Sequence, residues 1–190
     1  MLFRSQAIAW FDLPQVGRSA ARMDFDKLRS LNAHYILAAD DDRLLGLIEP
    51  KLAAQAARAL TEGERVQIRQ LMPELKRRAK DLNELAEGTS FLVRTRPLEV
   101  DAKAAALLKP DASSLLARLI PALEVIDPWQ VPALEAAVRT FAEAEARKLG
   151  DVAQPIRAAL TGRSTSPGVF DVMVALGKPE TLARLRDQAR

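Results

Sequence analysis

The sequence predicts an all-α fold, and three observations carry that expectation. Ala, Leu, Arg and Glu are abundant while only 8 of 190 residues are Gly, a composition that favours helix along most of the chain. Apolar residues recur at spacings of three and four in one segment after another. No series of four or more alternating apolar–polar runs is present from which a sheet could be built.

Taken in order, residues 6–11 read as a short helix with Ser5 as its cap, and Leu13-Pro14-Gln15-Val16-Gly17 as a turn. Asp24 is placed to cap a second helix, whose inner face is Phe25, Leu28, Leu31, Asn32, Tyr35 and Ile36. His34, the single histidine, is expected to be a buried or partly satisfied core residue. Asp40-Asp41-Asp42 opens the next helix; consecutive residues on a helix diverge, so this trio is read as solvated surface and not as a cation site. Leu44, Leu47, Ile48 and Leu52 follow on one face, with an interruption expected at Glu49-Pro50. Residues 53–60 then form a short helix that ends near Gly63.

Pro73 is expected to divide residues 64–71 from a helix over 75–85. In that second helix Leu75, Ala79, Leu82 and Leu85 are the buried seam, and Lys76, Arg77, Arg78 and Lys80 crowd the exposed side. Gly88 ends or bends it, residues 90–93 continue briefly, and 95–98 are extended. Residues 101–108 read as an Ala-rich helix closed by Pro110. Asp111 or Ser113 caps a run buried through Leu115, Leu116, Leu119, Ile120 and Leu123. A long helix over 131–148 buries Leu134, Val138, Phe141 and Ala142 and stops at Gly150. Residues 152–160 are helical if the helix starts near Pro155. Ser164 or Ser166 caps a helix over 169–176, Gly177 ends it, and Pro179 opens the last one.

Several functions are excluded by composition. The chain has no Cys, so it holds neither a disulfide framework nor a thiolate metal site. One His makes a histidine-built zinc site or an in-chain Ser-His-Asp system implausible. No glycine-rich loop runs into Lys-Ser or Lys-Thr, so there is no P-loop. Aromatic residues are 5% of the chain with a single Tyr, which argues against a sheet of base-stacking aromatics. No apolar run reaches eighteen residues and no signal peptide opens the chain, so no membrane segment and a cytoplasmic location are expected. A net charge of +3 with 28 basic and 25 acidic residues suits a protein that meets phosphates on one face only, and equally an ordinary surface. The hydroxyl-rich loop Thr161-Gly162-Arg163-Ser164-Thr165-Ser166-Pro167-Gly168 reads both as a phosphate or nucleotide contact and as a plain interhelical loop.

Three segments carry a family resemblance. Residues 152–162, followed by Ser166-Pro167-Gly168-Val169-Phe170, resemble the terminal anticodon-binding region of bacterial glutamyl-tRNA synthetases. Phe11-Asp12-Leu13, Val16, Ser19 and Phe25-Asp26, leading into Leu31-Asn32-Ala33-His34-Tyr35-Ile36, resemble the stem-contact segment of the same enzymes. Arg78-Ala79-Lys80-Asp81-Leu82, with Glu84-Leu85, resembles their first anticodon-binding subdomain. The resemblance covers essentially the whole chain. It implies a stem-contact segment at 1–60 and two anticodon-binding helical subdomains at 61–110 and 111–190.

The family's two ATP-handling motifs, of the His-x-Gly-His and Lys-Met-Ser-Lys classes, are missing from this sequence. The resemblance therefore implies the tRNA-binding part of a glutamate–tRNA ligase, monomeric and inactive alone. ATP and Mg would belong to the parent enzyme, and the partners would be its catalytic domain and tRNA-Glu, with tRNA-Gln added where the enzyme charges both. By the same resemblance Arg78 reads the third anticodon base, a cytosine, and Arg157 contacts the anticodon from the terminal subdomain. Ser166 and Val169 lie near the first anticodon bases, one hydrogen-bonding and one packing against a splayed base. The chain departs from the family at Ser19-Ala20-Ala21, commonly Ser-Pro-Ala, and at Ala33, commonly Gly. A stand-alone tRNA-binding module and a helical protein-interaction scaffold are the alternative readings.

Overall fold

The computed structural model describes residues 4–12 and 22–189. The turn expected at 13–17 and the Ser19-Ala20-Ala21 departure lie outside the described residues. Among those described, the chain is all-α, with no strand. The elements are α1 (Arg4–Trp10), α2 (Phe25–Ala38), α3 (Asp41–Ala56), α4 (Glu62–Lys76), α5 (Leu82–Thr89), a 3-10 turn (Ser90–Leu92), α6 (Ala102–Ala105), α7 (Pro110–Glu124), α8 (Val131–Ala144), α9 (Leu149–Thr161) and α10 (Val169–Gln188).

Local capping chemistry starts most of these helices. Asp24, Asp40, Asp81 and Asp101 each accept a backbone N–H three residues on, which satisfies donors that have no partner inside the helix. Thr61 and Glu64 form a reciprocal capping box on α4. The stops are less orthodox. Ala57 and Ala146 take the left-handed conformation, each at φ 53, and close α3 and α8 where a Gly is usual. This is why Gly63 and Gly150, read as terminators, instead lie in the first turns of α4 and α9.

Prolines also stand where breaks were expected. Pro50, Pro73 and Pro155 all lie inside helices. A helical proline costs about 3 kcal/mol, but each here is flanked by fully buried side chains: Ile48 and Leu52, Met72 and Leu75, Val152 and Ile156. Burial of those faces outweighs the lost hydrogen bond. Pro110 does not close the preceding helix; it opens α7 at the first position, with Lys109 and not Asp111 or Ser113 as the cap. The helix expected over 101–108 is accordingly reduced to α6. Ser5 lies inside α1.

One continuous core runs from Ile36 through Leu185. α7, α8, α9 and α10 pack on one another, α3, α4 and α5 form a second group, and α10 bridges them by packing on α4 as well. Leu115, Leu116, Leu119, Ile120 and Leu123 are all buried, as their spacing predicts. α10 is kinked at Gly177 (φ 75, ψ 162), and the carbonyl of Met173 freed there accepts from Trp129 Nε1 at 2.9 Å and Thr181 Oγ1 at 3.1 Å. Arg184, 2% exposed, spans the two groups. Its guanidinium donates to the carbonyls of Phe91 and Leu160 at 3.0 and 2.7 Å and to Glu180 at 2.7 Å.

The inner face expected on α2 is where the prediction fails most. Phe25, Leu28, Leu31 and Tyr35 are exposed and only Ile36 is buried. His34 is exposed too, its ring edge-on to Tyr35 at 5.8 Å. Leu47 is likewise exposed, and Leu45 takes its place in the core.

Candidate nucleic-acid interface

α4 ends at Lys76, so the basic cluster does not sit on one helix as expected. The backbone turns instead, with the N–H groups of Arg78 and Ala79 both donating to the Leu75 carbonyl. That turn tucks Ala79 into the core and leaves Arg78 exposed. Of the expected seam, Leu75, Ala79 and Leu85 are buried all the same, and Leu82 is partly buried. A turn between two packed helices fixes the guanidinium's origin while leaving its four-bond stem free to reach.

Facing it is the α9–α10 connection. Arg157, half-buried on α9, donates from Nε to Ser166 Oγ at 3.1 Å, and that hydroxyl donates to the Pro167 carbonyl at 2.8 Å. The loop leaves α9 through Gly162 at φ 70. A Cβ at Gly162 would lie 2.3 Å from the Glu99 carbonyl oxygen, and the Gly162 carbonyl accepts from Asp101 N–H at 2.9 Å. Only glycine satisfies both the dihedral and that close approach.

Between the two walls lies a cleft of about 360 Å³. Leu75, Ala79, Gly88 and Pro167 give it apolar lining; Arg78, Arg163, Thr165, Ser166, Glu84 and Glu87 give it a polar rim. Burial first, and then the neighbouring charge of Arg78, lower the Arg157 guanidinium from its ordinary value. It remains a cation at neutral pH. Arg78 and Arg157 are therefore near enough to repel.

The carboxylates nearby are already engaged. Glu84 accepts from Arg29 and from the Lys80 N–H, and Glu87 pairs with Arg163. Other arginines have close partners, such as Arg58 with Glu64, Arg65 with Glu49 and Arg147 with Asp111. Among the described residues Arg78 and Arg157 have none, as is also true of Arg43 and Arg94; what sets the first two apart is that they neighbour each other beside the cleft. Two adjacent guanidiniums without a carboxylate leave a fork of unsatisfied donors over a partly apolar cleft. Such a surface suits an acceptor-rich planar edge or a phosphate.

The other expected site residues divide. Ser166 faces the cleft, but neither it nor Ser164 caps α10; Gly168 is the cap, without a side-chain bond. A Cβ on Gly168 would lie 2.1 Å from Asp171 Oδ2, so a carboxylate of the chain already sits at the α10 N-terminus. This disfavours a phosphate there. Val169 is 5% exposed and belongs to the core, so it presents little apolar surface to a splayed base; it anchors the start of α10. Asp40, Asp41 and Asp42 diverge as expected, to the α3 cap, Lys76 and Arg69. No group of three or more His, Asp or Glu able to hold a metal occurs among the described residues. Arg163, in the hydroxyl-rich loop read as a phosphate contact, pairs instead with Glu87 across the cleft; their separation of 76 residues leaves no local signal of that pairing.

A family model described as "Anticodon binding domain" matches residues 43–189, and the chain belongs to that family. It is 54% identical over 188 residues to glutamate–tRNA ligase 2 of Rhizorhabdus wittichii, covering 99% of this chain and 40% of that protein. It is 50% identical over 188 residues to glutamate–tRNA ligase 2 of Zymomonas mobilis, covering 99% and 39%. The chain thus spans about 40% of the length of the curated relatives it matches, and it is homologous to their C-terminal part. A crystal structure of a glutamate tRNA ligase from Elizabethkingia meningosepticum shares the fold, with a TM-score of 0.78 at 24% identity over 97% of this chain and 36% of that one.

Proposed function

We propose that this chain is the anticodon-recognising portion of a glutamate–tRNA ligase, acting with a catalytic domain that supplies ATP-dependent attachment of glutamate. One observation supports this most: Arg78, which lines the cleft, and Arg157, which is bonded to the lining Ser166 hydroxyl and feels the charge of Arg78, both lack a carboxylate partner. Arg78 donates to the O2 and N3 acceptors of a cytosine, while uracil turns a donor toward it at N3. Arg157, held by Ser166, approaches a neighbouring base from the other wall. An anticodon loop supplies the unstacked bases that such readout needs. The three-part division at 60 and 110, the cytoplasmic location and the monomeric state belong to the same proposal.

Binding of this chain to anticodon stem–loops that differ only in the third base tests it. Arg78→Ala should cost about 1–3 kcal/mol for the cytosine RNA and far less for the others. Equal weakening for every third base would overturn base reading. A second reading, a helical scaffold for protein partners, is favoured by the exposed apolar residues of α1 and α2, including Trp10, Phe25 and Leu31. It requires RNA binding with no salt dependence or none at all, whereas phosphate contacts must weaken as salt rises.

A further inference from the structure

We infer that the Glu87–Arg163 ion pair is a latch that sets the width of the cleft, making both of them positioning residues for the bases that Arg78 and Arg157 contact. The inference rests on the reading of the cleft given above. Glu87 belongs to α5 on the Arg78 wall, and Arg163 to the loop on the Arg157 wall. The loop's other polar ties come from its own side. Gly162 is bonded to Ala158 and Asp101, Thr161 Oγ1 to the backbone of Arg163, and Ser166 to Arg157. Among the described residues, Arg163 to Glu87 is the only hydrogen bond or ion pair that crosses from this loop to α5.

The geometry gives the latch its leverage. Gly162 is held by its backbone bonds to Ala158 and Asp101, whereas Ser164 and Thr165 beyond it make no hydrogen bond of their own among the described residues. Releasing Arg163 frees the segment that carries Ser166, and Ser166 in turn orients Arg157. The pair also neutralises the one further arginine at the rim.

Glu87→Gln and Arg163→Gln are compared with wild type and Arg78→Ala, using anticodon stem–loops that vary in the third base at two salt concentrations. Both latch variants should lower the preference for the cognate base by about two- to fivefold, the range of a half-exposed ion pair. Both should leave the salt slope unchanged and speed amide exchange at residues 163–166, with unchanged melting temperature. The opposite sign overturns the latch: Glu87→Gln tightening every RNA while Arg163→Gln weakens them with a shallower slope makes Arg163 a phosphate ligand restrained by Glu87. An unchanged preference or unchanged exchange in either variant overturns it too. A wild-type chain that shows no base preference overturns the base-reading proposal instead, and the exchange rates then decide on the latch alone.

Discussion

Helices α2 and α7 have nearly the same length, 14 and 15 residues, and each repeats apolar side chains at three and four. Their fates differ. Five leucines and isoleucines of α7 are buried against α8, α9 and α10, whereas Phe25 and Leu31 of α2 are 70% and 52% exposed. α2 leans on α4 and is tied down largely by polar contacts: Arg29 to Glu84, and Asn32 Nδ2 to the Lys80 carbonyl at 2.8 Å. An apolar stripe thus specifies that a helix can be buried on that face; whether it is buried depends on which elements are there to cover it.

The largest expected effect tests the packed side of this comparison. Arg184→Ala would leave the Phe91 and Leu160 carbonyls buried without their donor, at the seam between the two helix groups. Loss of a buried charged hydrogen-bonding partner costs about 3–5 kcal/mol, which urea denaturation would measure; a loss below about 1 kcal/mol would show that water replaces the guanidinium. Next comes the direct contrast between the helices. Leu123→Ala in α7 should destabilise by about 3 kcal/mol through lost transfer energy and a cavity, and Leu31→Ala in α2 by no more than about 0.5 kcal/mol. Equal costs would mean that the two stripes are equally covered in solution.

The same contrast explains what the sequence made legible. α7 was readable because its periodicity and its burial agree, although Pro110, read as closing the preceding helix, in fact opens α7. The cap at Asp24 acts through a neighbour three residues away, a distance local reading handles well, whereas Asp81, inside a helix expected over 75–85, instead caps α5. The break at Gly177 was readable, but the ends of α3 and α8 were not, because Ala57 and Ala146 adopt a conformation that composition assigns to Gly, and prolines were retained inside helices by tertiary burial that no local window contains. At the cleft, Arg78, Arg157 and Ser166 came from family resemblance, since periodicity alone read Arg78 as a solvated edge. Their juxtaposition, and the partnering of Glu87 with Arg163, are consequences of the chain folding back over some seventy residues.

A pH-dependent effect concerns α4, the helix on which α2 rests. Glu64 accepts from both the N–H and the hydroxyl of Thr61 and forms two bonds to Arg58, with its side chain only 12% exposed. The Arg58 guanidinium foremost, and then the Thr61 bonds, hold its carboxyl down at about 2 from an ordinary 4.5, against the opposing effect of burial. Between those values the unfolded chain binds a proton that the folded one does not, so stability rises with pH across that interval. The contribution is complete above pH 4.5 and disappears as pH falls through about 2. Glu64→Gln keeps an acceptor for Thr61 but removes the charge facing Arg58, so it should cost about 1–3 kcal/mol at neutral pH. The difference in stability between wild type and variant should shrink steadily as denaturation is repeated from pH 5 down to about pH 2. A difference that stays constant with pH would mean that the ion pair with Arg58 does not form in solution, and that the cap rests on Thr61 alone.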